Sequence, residues 1–158
     1  MPNMSNNELT RPEQRFIEDV AQLFVPWGVP PTAARLYGYL LLSEEPASLD
    51  RIAAVLKVSK SSASVAAKLL ERYTLARRRP VPGSKRILYE VSDSYEEMLA
   101  GETRMLRDLG ALLAGAKPIA RSDATRDRLE EMAEFYALVR EAISVVQQRW
   151  RERRHGPR

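Results

Sequence analysis

Ser48-Leu-Asp-Arg-Ile-Ala-Ala-Val-Leu-Lys-Val-Ser-Lys-Ser-Ser-Ala-Ser64 holds two short helical patterns joined by a tight turn. In the first, Ser48 is placed as N-cap and Asp50 lies near the positive end, with Leu49, Ile52, Ala53 and Leu56 on one face. Lys57-Val58 makes the turn, and Ser59 caps a second helix running from Lys60 to Tyr73. Ala63, Ala66, Ala67 and Leu70 recur there at the three-and-four spacing of a buried stripe. The opposite face carries Lys60, Ser61, Ser62, Ser64, Val65 and Lys68. Small Ala53 and Ala63 allow the two helices to cross closely, as a helix-turn-helix requires.

A hairpin follows. Leu75 to Pro80 and Lys85 to Val91 read as strands, with Leu75, Ile87, Tyr89 and Val91 at β-favouring positions and Pro82-Gly83-Ser84 reversing the chain. Arg77, Arg78, Arg79, Lys85 and Arg86 crowd its tip. Like charges facing each other across a hairpin repel, so stability alone does not favour this cluster, and a nearby polyanion would offset it. Two helices and a basic hairpin in this order make a winged helix-turn-helix. Short hydrogen-bonding side chains near the N-terminus of the second helix suit the end that enters a major groove. The plain alternative is a capped, solvated helix start.

Charge is segregated along the chain. The 158 residues contain 25 basic and 21 acidic side chains, a formal +4. Between Ala47 and Ser92 stand ten Lys and Arg against three acids, about +7, which leaves the remainder near −3. A positive surface on a near-neutral body is the footprint of a nucleic-acid binder. Ser59, Lys60, Ser61, Ser62, Ser64, Val65 and Lys68 are therefore the candidate reading face, and Arg77, Arg78, Arg79, Lys85 and Arg86 the candidate phosphate contacts.

Other functions lose their chemistry. With no cysteine and only His155, in a charged tail, disulfides, thiolate catalysis, histidine acid-base chemistry and a transition-metal site are not expected. Phosphate-cradling glycine loops and a nucleophile elbow are missing, so neither an enzyme nor a cofactor is expected. No apolar run approaches the roughly 18 residues of a membrane span, and the start of the chain is polar, which predicts a cytoplasmic protein.

The remaining segments read as helices. Thr10-Arg-Pro-Glu13 resembles a capping box opening a first helix, whose Phe16, Val20, Leu23, Phe24 and Trp27 form an apolar stripe ended by Gly28. A second helix, about Thr32 to Ser43, is apolar nearly all round, and Gly38 at its centre predicts a close crossing. A fifth starts near Ser92-Asp93-Ser94, with Ser94 and Glu97 in capping-box register, and continues through Leu99, Leu106, Leu109 and Leu113. The last, roughly Ser122 to Arg153, places Leu129, Met132, Tyr136, Val139, Ile143, Val146 and Trp150 in a heptad seam. That seam meets either the fifth helix of the same chain or a second copy. A two-fold dimer, with Phe16 and Val20 of the first helix contributing, would set two reading helices about 34 to 36 Å apart in successive major grooves.

The expected fold class is mainly α with a small β-hairpin wing, a winged helix-turn-helix domain plus long dimerisation helices. The expected division is 1–28 for an N-terminal helix contributing to the dimer interface, 29–93 for the winged domain, 94–153 for the dimerisation helices and 154–158 for a disordered tail.

Trp27-Gly-Val-Pro-Pro-Thr-Ala-Ala-Arg-Leu-Tyr-Gly-Tyr-Leu-Leu-Leu, the Ser48 to Ser64 stretch and the wing ending Arg86-Ile-Leu-Tyr-Glu-Val together resemble the multiple-antibiotic-resistance-regulator (MarR) family, nearest to its GbsR-like branch. The resemblance covers roughly Phe16 to Leu99. It implies a homodimeric transcriptional regulator, a repressor binding an inverted-repeat operator in double-stranded DNA. It also implies, for many members, a small-molecule effector between the dimer helices and the DNA-binding domains. Trp27, Tyr37, Tyr39 and Tyr95 are candidates to line such a site, and an aromatic cage suits quaternary ammonium ligands. At helical spacing such rings also serve as core. Oxidation sensing through cysteine, as in some relatives, has no residue here. The rival function is a winged-helix interaction module whose basic wing docks an acidic protein partner without specific DNA binding.

Overall fold

The computed structural model describes residues 8–156; residues 1–7 of the expected N-terminal segment and 157–158 of the expected tail lie outside it. The chain divides into two compact units at residues 93/94.

The first unit opens with α1 (Arg11–Phe24). Its capping box forms on both sides: the Glu13 N–H donates to Thr10 Oγ1 at 3.3 Å, and the Thr10 N–H donates to Glu13 Oε2 at 2.8 Å. The α-helix stops at Phe24, before the expected Gly28. Pro26 supplies no N–H, and the chain tightens into a 3-10 turn, Val25–Trp27, before Gly28 closes it at φ +90°.

α2 (Pro31–Leu42) is the centre of this unit, burying Ala33, Ala34, Leu36, Gly38, Tyr39 and Leu40. A Cβ on Gly38 would lie 3.0 Å from the Ile17 Cα and 3.3 Å from the Val20 Cβ. The expected close crossing is thus with α1. It also decides which face of α1 turns inward: Ile17 and Ala21 are buried, while Phe16, Leu23 and Trp27 of the expected stripe are exposed. Val20, half-buried, packs at this crossing.

The helix-turn-helix is α3 (Leu49–Leu56) and α4 (Lys60–Arg72). Ser48 and Ser59 cap them as expected, accepting from the Arg51 and Ser62 N–H groups at 3.2 and 3.1 Å. Lys57 makes the turn in the left-handed region, at φ +56°. The wing is β2 (Ala76–Pro80) antiparallel to β3 (Ile87–Val91), in a register that sets Arg77 opposite Glu90 and Arg78 opposite Tyr89. A two-residue β1 (Ala47–Ser48) adds to β3, giving the order β1-β3-β2. It is too short to show alternation in sequence. Buried Ala63, Ala66, Ala67 and Leu70 of α4 join Leu36, Leu40, Ile52, Leu56, Ala76 and Tyr89 in one core.

The second unit is a helical hairpin of α5 (Tyr95–Gly115), a 3-10 turn at Lys117–Ile119, and α6 (Asp123–His155). Ser94 occupies the N-cap position of α5 without a side-chain capping bond, so the expected capping box with Glu97 does not form. α6 extends to His155, two residues into the expected disordered tail. The helices are antiparallel: Tyr95 meets Trp150 edge-to-face at 5.2 Å between centroids, and Arg151 Nε lies 3.0 Å from Glu96 Oε1.

This packing splits the expected heptad seam. Leu129, Tyr136, Val139, Ile143 and Trp150 are half-buried. Met132 and Val146, seven residues either side of Val139, are the exposed members of that seam, and Phe135, Leu138 and Val145 form a neighbouring exposed apolar face. The contact with α5 takes the first set because a pair of helices covers one stripe of each. Among the described residues, no helix is long and apolar enough to cross a membrane, and no cluster of three or more His, Asp or Glu could hold a metal ion.

Candidate nucleic-acid interface

The buried alanines fix how α4 is turned. At about 100° per residue, the side farthest from the core is a ridge of Ser61, Val65, Lys68 and Arg72, at spacings of four, three and four. All of these are exposed, Val65 by 68 %. Arg72 was missed in the sequence reading, although the 61-65-68-72 spacing carries the signal.

The serines divide by role. Ser59 Oγ accepts from the Ser62 N–H, donates to Ser62 Oγ at 2.9 Å, and lies 3.1 Å from Ser61 Oγ. These hydroxyls are tied to the cap. Ser64 stands outside that network, one turn into the helix, beside a groove of about 510 Å³ between α4 and the wing. Lys60, Lys68, Arg78, Lys85 and Arg86 line the same groove. It also takes in Asp50, whose Oδ1 lies 3.1 Å from Lys60 Nζ. Lys85 and Arg86 form no ion pair among the described residues, which leaves the hairpin tip with uncompensated positive charge.

The three wing arginines are not bare, contrary to the expectation that the hairpin crowds like charges. Arg77 Nε is 2.7 Å from Glu90 Oε1 and its Nη1 is 2.7 Å from Asp93 Oδ1. Arg79 Nη1 reaches the other Glu90 oxygen at 3.2 Å. Arg78 turns to the opposite face of β2, where its Nε lies 2.8 Å from Glu71 Oε1 at the end of α4. The hydrogen bond to Glu90 raises the Arg77 pKa above its ordinary value, with Asp93 adding to the effect, and the bond to Glu71 does the same for Arg78. Burial pushes the Tyr89 phenol up, against the nearby Arg78 charge. Alternation along a strand, one residue up and the next down, is the cause of this division. Arg78 belongs to the groove; Arg77 and Arg79 belong to the outer face.

Exposed ion pairs of this type are worth about 0–1 kcal/mol, so they orient the guanidiniums without locking them away from a phosphate. A groove with cations on both walls and a protruding helix ridge beside it can hold a polyanion along the wing while the ridge meets what lies deeper.

The aromatic candidates of the first unit have separate surroundings. Tyr39 is buried, its hydroxyl accepting from Arg51 Nε at 3.0 Å; Tyr37 meets Phe24 edge-to-face at 5.5 Å; and Trp27 is 84 % exposed. In the second unit Tyr95 is engaged with Trp150.

Among solved structures, one described as a transcriptional regulator is similar at 23% identity and TM-score 0.72, over 89% of this chain and 99% of its own. A Staphylococcus aureus MepR mutant bound to an oligodeoxyribonucleotide matches at 16% identity and TM-score 0.43, over 84% and 91%. A MarR/EmrR family transcriptional regulator from Acinetobacter sp. ADP1 matches at 17% and 0.40, over 85% and 89%. The first of these likenesses shows a shared fold. No protein-family model and no curated protein matches the chain.

Proposed function

We propose that this protein is a transcriptional regulator of the MarR type, in its GbsR-like branch, that binds double-stranded DNA sequence-specifically as a cytoplasmic homodimer. The observation that carries the reading is the single groove joining Lys60, Ser64 and Lys68 of α4 to Arg78, Lys85 and Arg86 of the wing. Phosphate neutralisation by such cations supplies affinity, and the ridge of a helix in the major groove supplies sequence. The shared fold with a protein described as a transcriptional regulator points the same way.

Two apolar faces support the homodimer: Met132, Phe135, Leu138 and Val145 on α6, and Met105 with Leu112 one heptad apart on α5. A homodimer formed through them would carry two copies of α4 related by a two-fold axis, the symmetry of an inverted repeat, and repression follows where that repeat overlaps a promoter.

Selection of a randomised duplex library with the purified protein tests the reading. Enrichment of an inverted repeat supports it. Binding without enrichment, or no binding at low salt, overturns it.

A further inference from the structure

We propose that Val65 determines specificity by packing against the C5-methyl group of a thymine, and that this apolar contact, rather than a hydrogen bond, forms the centre of sequence reading by α4. The inference rests on the DNA-binding reading above.

Val65 occupies the middle of the outermost ridge, one turn after Ser61 and one turn before Lys68. A helix entering a major groove with this ridge leading brings position 65 to the base edges before the flanking Lys60 or Ser64. Its side chain has no donor or acceptor, so the hydrogen-bonding edges of guanine, cytosine and adenine gain nothing from it. The one apolar feature on that edge of the duplex is the thymine methyl.

The surroundings favour this contact over a phosphate contact. On the α2 side of α4, a cleft of about 310 Å³ is lined by Pro30, Thr32, Ser61, Ser62, Val65 and Leu69, a set of apolar and hydroxyl side chains without a cation. The cations lie along the other flank, in the groove with the wing. Backbone phosphates are therefore held on one side of α4, and Val65 faces the side suited to base edges. Being exposed by 68 %, the isopropyl group is also available to lose water on contact, and it is not part of the core.

The test uses the full chain and a duplex recovered by library selection. Thymines are replaced one at a time by deoxyuridine, which deletes the methyl and keeps base pairing, and binding is read by fluorescence anisotropy. For the wild type, one thymine per half-site should weaken binding about fourfold on losing its methyl, the scale of one buried methylene. Val65→Ala should bind the thymine and deoxyuridine duplexes equally and should retain the wild-type unfolding midpoint. Replacing cytosine by 5-methylcytosine elsewhere should leave the affinity unchanged. A wild type indifferent to every deoxyuridine substitution, or a Val65→Ala variant as sensitive as the wild type, overturns the assignment while the DNA-binding reading stands. Failure to recover any preferred duplex overturns both.

Discussion

Arg78 Nε sits 2.8 Å from Glu71 Oε1, so the last turn of α4 holds the wing arginine that faces the groove. In the proposed DNA complex this contact joins α4 to the wing, whose relative placement would determine how a duplex is gripped. It also carries a cation and an anion to the same spot, with opposite consequences for a polyanion. Arg78→Ala should weaken binding to all duplexes similarly and make the salt dependence shallower by about one in log-log slope per lost phosphate contact. Glu71→Gln should do the reverse, tightening non-specific binding. Salt titrations of both variants on selected and scrambled duplexes check this, and equal slopes for the two would contradict it.

Capping and reading are separable among the serines. Ser59 accepts from the Ser62 N–H, and Ser59→Ala should cost about 1 kcal/mol of stability through loss of the N-cap. Ser64→Ala should leave stability within about 0.5 kcal/mol and alter preference between duplexes. Urea unfolding measures the first effect, library selection the second.

Lys57 adopts φ +56° in the turn between α3 and α4, a region in which a side chain is crowded and glycine is not. Lys57→Gly should therefore raise stability by about 0.5–1 kcal/mol, visible as a higher unfolding midpoint. A decrease would show that the lysine side chain contributes more than its backbone strain costs.

Glycines in helices should respond in opposite directions. Gly38→Ala places a Cβ 3.0 Å from the Ile17 Cα, a backbone atom that can yield only by moving α1, and should destabilise by about 1–3 kcal/mol. Gly101→Ala, with nothing within 4 Å of the added carbon, should stabilise α5 by up to about 1 kcal/mol. Thermal unfolding of the two variants gives the comparison directly.

The two apolar stripes of α6 predict different failures. Leu138→Asp, on the exposed face, should yield a folded monomer in analytical ultracentrifugation while helix content stays unchanged. Ile143→Asp, on the half-buried face, should lower helix content because it breaks the α5–α6 contact. A dimeric Leu138→Asp protein would remove this face from the proposed assembly.

Local chemistry was legible in the chain itself. The N-caps Thr10, Ser48 and Ser59, the turn at Lys57-Val58 and the alanine stripe of α4 depend on residues a few positions apart, and sequence carries such information directly. Gly38 even announced its crossing, because a glycine amid apolar helix formers is costly unless something approaches closely. The end of α1 was misjudged where Pro26 acts one turn before Gly28.

What the tertiary structure decided was which of several equivalent faces meets which neighbour. The sequence determined that α6 is apolar over more than one stripe; the packing of α5 determined that Tyr136 and Ile143 are taken and Phe135 and Leu138 left. It determined that five cations crowd a hairpin; register and alternation determined that Glu90 holds Arg77 and Arg79 on one face while Glu71 holds Arg78 on the other. Carboxylates at positions 71, 90 and 93 are far from their arginines along the chain, and pairwise electrostatics acts through space. Helical periodicity fixes a side chain's angle about its own axis, but only contact with the rest of the core fixes the direction in which that axis is turned.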